Sequence, residues 1–470
     1  MQRINSVCGF FLAAVIHFSC AQPAFSQTPH TRPNVLMITV DDLNDWVGCL
    51  GGHPQSKTPN IDALIQHGIL FTNAHCQAPI CNPSRVSFMT GVRPSNSGIY
   101  VNGDRFRASK RLKNAITIPQ QFAANGYVSM GCGKLFHASG GRSNFQTYGP
   151  FGGQGPLPDT RLNCPPEQSS SKLWDWGTFP EKEEDYHDVI NSKWASAQLN
   201  KRHGKPFFLG VGFYRPHVPF YAPKRFFDLH PLEQVRLPKV LPNDMEDVPK
   251  YGRNLTNNTL PPDHAWFVES GKWQQAIQSY LSAVSFTDAN IGRVIQALDE
   301  GPHADNTWIV LFSDHGFFLG EKARWAKQSL WERATKVPLI IVPPRSTATD
   351  WAKDQTCSSP VELLSLYPTL MELCDLPSPE GLDGTSLVPL LKQPNAEWNH
   401  PAITTYTKGS HSIRTTRWRY TRYADGSEEV YDLRNDPNEW HNQASRKEVS
   451  QVIANLKQWI PEHDEPPSGK

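Results

Sequence analysis

The sequence has almost no net charge, because its 46 lysines and arginines are matched by 45 aspartates and glutamates. This balance argues against a basic surface over the whole molecule of the kind that binds nucleic acid. No apolar run reaches the roughly 20 residues that a membrane-spanning helix needs, and no internal repeat is present. The sequence therefore predicts no nucleic-acid partner and no transmembrane anchor, and any anion must be recognised by a local cluster of charges.

Closely spaced groups of cysteines are also missing, although the chain has nine cysteines. His75-Cys76 has no second pair of ligands to complete a zinc site. Apart from two cysteines near the N-terminus and Cys81, the thiols are too scattered to indicate a disulfide framework. These scattered residues are Cys49, Cys76, Cys132, Cys164, Cys357 and Cys374.

The N-terminus has the outline of a secretory signal peptide. Arg3 precedes an apolar run from Val7 to Phe18, and small residues follow up to Ser26. We therefore expect residues 1–26 to be a signal peptide and the protein to be exported to a periplasmic, extracellular or lysosome-like location. A lipid anchor on Cys20 is not expected, because His17-Phe18-Ser19 is a poor match to the residues that precede a lipidated cysteine.

Three apolar runs rich in β-branched and aromatic residues predict buried parallel strands, since a strand covered on both faces is apolar throughout. They span 34–40, 207–213 and 307–313. Two of them end in polar pairs, Asp41-Asp42 and Asp314-His315, and ligands of open α/β sheets bind beyond the carboxyl ends of strands. Aspartates are also common in solvated turns, so neither pair is specific by itself.

The stretch Cys81-Asn82-Pro83-Ser84-Arg85 is the most informative in the chain, although most free cysteines are only small buried hydrophobes. Val86-Ser87-Phe88-Met89-Thr90-Gly91 follows it directly. We expect Pro83 to force an irregular entry before a helix starts at Arg85. The N-terminal amides of that helix would point at an anion bound near Cys81.

Further basic side chains follow predicted strands or rigid turns. Lys134 and His137 come after a glycine-rich strand end, His217 lies between two prolines, and Lys327 follows Trp325-Ala326. Each has an ordinary alternative as a polar surface residue or a structural histidine. The segment 139–182 is rich in Gly, Pro, Ser and Asn, which predicts a long loop of the kind that is often functional or poorly ordered. The segment 221–271 has little periodicity and is expected to be an insertion bordering the site.

In their joint order these motifs resemble the type I sulfatases of the alkaline phosphatase superfamily, and most closely the iduronate 2-sulfatases. The resemblance runs from about residue 34 to the C-terminus. It rests on the stretch Cys81–Arg85 and on five further motifs: Asp41-Asp42-Leu43, Gly133-Lys134-Leu135-Phe136-His137, Pro216-His217-Val218-Pro219-Phe220, Ser313-Asp314-His315-Gly316 and Trp325-Ala326-Lys327.

The resemblance implies an α/β fold, with an alkaline-phosphatase-like large domain over residues 33–394 whose central, mostly parallel sheet is flanked by helices. Beyond residue 395 the sequence itself changes to short strand patterns and a terminal helix near 449–459. This pattern predicts a small antiparallel α+β subdomain over residues 395–470.

The resemblance also implies a modified residue and a metal. The motif cysteine of this family is oxidised to Cα-formylglycine, so a formylglycine-generating or sulfatase-maturating enzyme is expected to act on Cys81. A Ca²⁺ ion is expected, with Mg²⁺ as the alternative, since carboxylate oxygens suit hard divalent cations and His315 is a less usual partner for them. The implied ligands are Asp41, Asp42, Cys81, Asp314 and His315.

The implied catalytic roles are shared among six side chains: Cys81, Arg85, Lys134, His137, His217 and Lys327. The hydrated aldehyde at position 81 would attack sulfur, with Arg85 orienting the diol. Lys134 and Lys327 would hold sulfate oxygens, and His217 or Lys327 would protonate the departing sugar oxygen. His137 would assist loss of sulfate from the covalent intermediate.

The expected substrate is a sulfated carbohydrate, first of all a 2-O-sulfated uronate. Lys322-Ala323-Arg324 departs from the iduronate 2-sulfatase pattern, and its added basic charge is predicted to bind a substrate carboxylate or a second sulfate. Three alternatives stay open: a sulfatase of algal polysaccharides, a phosphatase or phosphonate hydrolase of the same superfamily, and a non-catalytic glycan-binding protein if Cys81 is unmodified.

Overall fold

A computed structural model describes Gln2 and residues 32–137, 139–151 and 153–469. The expected signal peptide, residues 1–26, lies outside these residues apart from Gln2, and so does Cys20. Within the described part, no helix is long and apolar enough to cross a membrane. The cysteines of this part are all free thiols.

The strands of the described residues are β1 (Asn34–Val40), β2 (Ile69–Phe71), β3 (Ala74–His75), β4 (Val128–Gly133), β5 (Thr147–Tyr148), β6 (Trp176–Gly177), β7 (Phe207–Phe213), β8 (Phe220–Tyr221), β9 (Thr307–Ser313), β10 (Phe318–Leu319), β11 (Trp325–Ala326), β12 (Lys336–Val337), β13 (Leu339–Val342), β14 (Gln355–Cys357), β15 (Val361–Glu362), β16 (Ala402–Thr405), β17 (His411–Arg414), β18 (Trp418–Arg422) and β19 (Glu428–Asp432).

The α-helices are α1 (Pro59–Ala63), α2 (Cys81–Thr90), α3 (Pro94–Ser97), α4 (Ile118–Ala124), α5 (His187–Leu199), α6 (Lys224–Phe227), α7 (Lys250–Leu255), α8 (His264–Glu269), α9 (Trp273–Asp299), α10 (Glu332–Thr335), α11 (Leu366–Leu373), α12 (Val388–Lys392) and α13 (Ser450–Lys457). Short 3-10 turns occupy several of the connections between them.

Eight strands form the central sheet, in the order β14-β2-β13-β9-β1-β7-β4-β5. β1 pairs in parallel with β7 and β9, and β4 pairs in parallel with β7 and β5. β13 runs antiparallel to its neighbours β9 and β2. The prediction of a central, mostly parallel sheet is therefore confirmed.

Both faces of β1 are buried, which explains its uniformly apolar sequence. Val35 and Met37 pack into a core shared with α2, α4 and α11. Leu36, Ile38 and Val40 pack into a second core shared with α1, α5 and α9. Because side chains alternate between the two faces of a strand, a layer of helices on each face requires apolar residues at every position.

The long helix α9 does more than fill a core, because it also holds the end of β1. The hydroxyl of Tyr280 donates to the backbone carbonyl of Asp42 at 2.7 Å and accepts from the backbone N–H of Asn44 at 3.1 Å. Tyr280 is completely buried. The helix therefore fixes the backbone at the point where β1 delivers its aspartates.

The C-terminal strands form a separate sheet in the order β16-β17-β18-β19, and all its pairs are antiparallel. Its apolar face packs against α13 through residues such as Ile413, Tyr420 and Ile453. The predicted antiparallel α+β character of the C-terminal region is confirmed. The predicted boundary between residues 394 and 395 stays a prediction.

The prediction for the start of α2 is wrong. The helix begins at Cys81 and not at Arg85, and Pro83 lies inside its first turn. A proline is tolerated there because the first N–H groups of a helix have no partner within the helix, so the missing donor costs no hydrogen bond. Pro83 therefore forces no irregular entry, and Cys81 is itself the first residue of the helix.

Candidate active site

The carboxyl ends of β1, β4, β7 and β9 meet at one edge of the central sheet, because these four strands run parallel. Most of the sequence-predicted residues are brought to this edge together with Cys81 and Arg85 of α2. They are Asp41 and Asp42 after β1, Lys134 after β4, His217 beyond β7, and Asp314 and His315 after β9.

Cys81 lies at the centre of this group and is 1% exposed. Its Sγ is 3.3 Å from His315 Nε2 and 3.4 Å from Lys327 Nζ. Lys134 Nζ is 3.8 Å from the same sulfur, and Asp41 Oδ1 is 3.5 Å from it. Side chains from separate segments of the chain therefore converge on one atom of residue 81.

The cations around Cys81 change its acidity. Burial alone would raise the pKa of the thiol, but Lys134, Lys327 and His315 outweigh burial and hold this pKa well below its usual value. A hydrogen bond with His137 acts in the same direction. The site therefore stabilises negative charge on the side chain of residue 81.

His315 is one of these cations. Burial lowers the pKa of its imidazole, but the neighbouring Asp314 carboxylate more than offsets burial, and the pKa is raised to about 9. Its Nε2 is 3.5 Å from Asp314 Oδ2, and its Nδ1 is 3.0 Å from the carbonyl oxygen of Gly316. The ring is therefore charged at neutral pH.

Arg85 is fully buried and ties the ends of β1 and β9 together. Its Nε donates to Asp314 Oδ2 at 2.9 Å, and its Nη2 is 3.4 Å from Asp41 Oδ1. Its Nη1 donates to the carbonyl oxygen of Lys134. Burial raises the pKa of Asp314 to about 7, although the guanidinium opposes the shift.

Asp42 has a left-handed backbone with a φ of 64°, which is unfavourable for most residues other than glycine. Its Oδ1 is 3.3 Å from His315 Nδ1 and also contacts Lys327 Nζ, and its Oδ2 is 3.7 Å from His217 Nε2. Among the described residues this buried Oδ2 has no hydrogen-bond partner. Such an oxygen needs an explanation, and a bound cation is one.

Lys134 and Lys327 each form an ion pair with one aspartate. Lys134 Nζ contacts Asp41 Oδ2, and Lys327 Nζ contacts Asp42 Oδ1. Burial would lower the pKa of either ammonium group, but the carboxylates outweigh burial and raise both values. Both lysines are therefore firmly cationic and poor proton donors.

Four groups that can bind a metal lie within 4.8 Å of one another: Asp41, Asp42, Cys81 and His315. The two carboxylates suit a hard cation such as Ca²⁺ or Mg²⁺, whereas the imidazole and the sulfur suit it less well. Asp314, the fifth predicted ligand, lies beside this group with Oδ2 held by Arg85. The unsatisfied Oδ2 of Asp42 shows that the carboxylate side of the cluster fits a cation.

A cavity of about 390 Å³ adjoins the cluster. Asp42, Lys134, His137, His217 and Lys327 all line it, so the predicted lysines and histidines face a space large enough for a sugar. The Nδ1 of His137 is buried and has no hydrogen-bond partner among the described residues.

The other walls of the cavity are neutral, and none of these residues was identified from the sequence as part of a site. They include Asn102, Phe151, Gln154, Trp174, Tyr214 and Asn258. Several come from the segments 139–182 and 221–271. The expected insertion over 221–271 therefore borders the cavity, although it contains α6, α7 and α8. The composition and low periodicity of these segments were the only available signals, and they do not identify individual side chains.

The predicted role of Lys322-Ala323-Arg324 in substrate binding is wrong. Lys322 is 2% exposed, and its Nζ forms an ion pair with Asp244 Oδ1 at 2.7 Å. Arg324 donates to the backbone carbonyl of Arg253 at 3.3 Å, and neither side chain lines the cavity. The Nζ of Lys322 also donates to the backbone carbonyl of Glu439, so its charge is used in a buried polar contact.

Comparison with known proteins agrees with this geometry. The model of the sulfatase family matches residues 33–376, and the model of the C-terminal region of N-sulphoglucosamine sulphohydrolase matches residues 320–465. A sulfatase from Formosa agariphila is 40% identical over 467 residues, which cover 96% of this chain and 91% of that protein. Human iduronate 2-sulfatase is 35% identical over 403 residues, which cover 74% of this chain and 70% of that protein.

Solved structures share the fold. One was determined in complex with its substrate, D-glucosamine-2-N,6-O-disulfate. It matches with a TM-score of 0.72 and 23% identity over 91% of this chain and 96% of that chain. The alkaline-phosphatase-like architecture predicted for the large domain is therefore confirmed.

A divalent cation is expected to stabilise the folded protein through Asp42. After treatment with a chelator, Ca²⁺ at about a hundredfold excess over its Kd should raise the free energy of unfolding by about 2.7 kcal/mol. The measurement is calorimetric unfolding with and without Ca²⁺, repeated with Mg²⁺. Asp42→Asn should remove the response, whereas Asp299→Asn, at a surface ion pair with Arg345, should keep it. An equal response in all three proteins would contradict the site.

Proposed function

This chain belongs to the sulfatase family and is a sulfuric ester hydrolase, and from that premise we propose that it removes sulfate from a carbohydrate with a Cα-formylglycine formed from Cys81. The observation that carries the proposal is the environment of residue 81. Three cations, Lys134, Lys327 and His315, lie within 3.8 Å of its Sγ. This array suits a nucleophile that becomes anionic beside an anionic substrate.

The modified residue would supply the reacting oxygen, because the hydrate of an aldehyde offers one hydroxyl to attack sulfur and a second to expel the sulfate afterwards. Arg85 and His315 stabilise negative charge at this position. Lys134 and Lys327 reach residue 81 and also line the cavity, so they are placed to hold the oxygens of the sulfate group. Their raised pKa values keep them charged while they do so.

We propose Ca²⁺ as the bound ion, with Mg²⁺ as the alternative. Asp41 and Asp42 would be its principal ligands, with Asp314 and residue 81 beside them, and His315 would join the set only after losing the proton that Asp314 stabilises on its ring. A divalent cation at this position would neutralise sulfate oxygens and make the sulfur more electrophilic.

His217 is proposed as the acid that protonates the departing sugar oxygen. Its Nδ1 lies 2.7 Å from the carbonyl oxygen of Val218, which fixes the ring, and its Nε2 lies on the side of Asp42. Lys327 is the weaker candidate, because its contact with Asp42 raises its pKa and opposes proton release. His137, hydrogen-bonded to residue 81, is placed to take the proton when sulfate is expelled.

The proposed substrate is a 2-O-sulfated uronate. Support comes from the 35% identity to human iduronate 2-sulfatase and from the motifs that carry the resemblance. A sulfated algal polysaccharide is the second candidate, because a relative from Formosa agariphila that is 26% identical over 451 residues is an ulvan-active sulfatase. Export directed by residues 1–26 stays a prediction, which N-terminal sequencing of the exported protein would test.

Maturation is proposed to need a second enzyme that acts on Cys81 before the chain has folded. With 1% of the residue exposed and every residue of α2 buried, the thiol of the folded protein is out of reach of another protein. Co-expression with a formylglycine-generating or sulfatase-maturating enzyme is therefore part of each activity assay below.

The matured protein should release sulfate from disaccharides that end in a 2-O-sulfated uronate, and Cys81→Ala should lower this activity about 10⁴-fold or more. Sulfate release is measured by ion chromatography, and thermal unfolding checks that the variant is folded. Activity confined to carrageenan or ulvan fragments would contradict the uronate substrate. Faster turnover of the matching phosphate ester would favour the phosphatase alternative, and glycan binding without turnover would favour the non-catalytic one.

His217→Ala should separate leaving-group protonation from the rest of the reaction. Turnover of a sugar sulfate should fall about 10²–10⁴-fold, because an alkoxide needs a proton as it departs. Turnover of 4-nitrophenyl sulfate should fall far less, because its phenolate leaves without one. His137→Ala is the matched control and should slow both substrates. Equal losses for His217→Ala, or a leaving-group dependence seen only in Lys327→Ala, would contradict the assignment.

A further inference from the structure

A sulfated uronate carries two anionic groups, and the cavity accounts for only one of them. The basic side chains that line it are Lys134, Lys327, His137 and His217. Each lies against Asp41, Asp42 or residue 81, which is where the sulfate would bind. No further lysine or arginine of the described residues lines the cavity. A second anion on the substrate would therefore have to meet a cation at the rim.

The rim beside Lys134 is a fixed structure, because the segment before Phe151 is attached to β4. The N–H of Gly133 donates to the carbonyl of Pro150 at 2.9 Å, and the N–H of Gly149 donates to the carbonyl of Gly131 at 2.8 Å. β5 extends the same pairing along the edge of the sheet. Phe151 follows this attachment directly and lines the cavity.

Arg142 lies over the ring of Phe151, with its Cζ 4.4 Å from the ring centroid. It is exposed, and among the described residues no carboxylate forms an ion pair with it. Its own turn is fixed, because the N–H of Phe145 donates to the carbonyl of Arg142 at 3.1 Å and Asn144 Nδ2 donates to the carbonyl of Gly141 at 2.8 Å. Stacking on an aromatic face leaves the donors at the edge of a guanidinium free.

We propose that Arg142 is a specificity-determining residue that binds the carboxylate of a uronate substrate at the rim of the cavity. This inference rests on the sulfatase function proposed above and concerns only which sugar is preferred. A guanidinium offers two parallel N–H groups to a carboxylate, and its contact with Phe151 reduces the freedom that binding would otherwise remove. Arg142 would thus take the role that Lys322 and Arg324 cannot fill.

The test compares one substrate pair: a disaccharide that ends in a 2-O-sulfated uronate, and the same disaccharide with its carboxyl group reduced to a primary alcohol. Arg142→Met should lower kcat/KM about tenfold for the carboxylate form, the size of one exposed charge-assisted hydrogen bond. The change should lie in KM, and the reduced form should be affected less than about twofold. Arg142→Lys should recover part of the loss, because it keeps the charge without the paired donors.

Lys172→Met is the matched control. Lys172 is an exposed cation between Ser171 and Leu173, which both line the cavity, and its replacement should affect the two forms alike. Equal losses on both forms for Arg142→Met, or no loss on either, would overturn the inference. Wild-type protein that does not distinguish the two forms, or turns over only 4-nitrophenyl sulfate, would overturn it too and leave the sulfatase function intact. Wild-type protein inactive on all three esters would instead contradict the proposed function.

Discussion

The arrangement of the site depends on three buried carboxylates that need positively charged partners. Asp41, Asp42 and Asp314 are fully buried at the ends of β1 and β9, and a buried carboxylate without a partner costs several kcal/mol. Arg85, Lys134 and Lys327 come from three other segments to meet them. The positions of α2, of the end of β4 and of the loop after β11 therefore depend on these three ion pairs.

The same ion pairs create the candidate active site. The cations that pair with the aspartates also surround residue 81. They hold the pKa of an unmodified Cys81 far below its usual value. The two lysines reach the cavity while remaining paired. An anionic substrate thus meets positive charge that is already fixed in place, which avoids reorganisation during the reaction. The unsatisfied Oδ2 of Asp42 marks a position in this array where a further cation fits.

Most of this site can be predicted from the sequence because its charged residues lie at the ends of apolar strands. A parallel sheet places all such ends at one edge, so Asp41, Lys134, His217 and Asp314 could be grouped before their distances were known. The predicted start of α2 is wrong because a helix tolerates proline in its first turn, where the missing N–H of Pro83 has no partner to lose. The prediction that Lys322 binds substrate is wrong because its burial depends on a partner, Asp244, in a segment without any periodic pattern. Asn102, Trp174 and Phe151 are neutral loop residues, and only the folded chain shows that they share a cavity.

The proposed mechanism depends most directly on the chemical state of residue 81. The decisive measurement is the mass of the proteolytic peptide that contains this residue, taken from protein whose sulfatase activity has been measured in the same preparation. The mechanism predicts an aldehyde in place of the thiol, and the fraction of peptide that carries it should rise in proportion to the specific activity. Full activity in protein whose residue 81 is entirely an unmodified cysteine would contradict it.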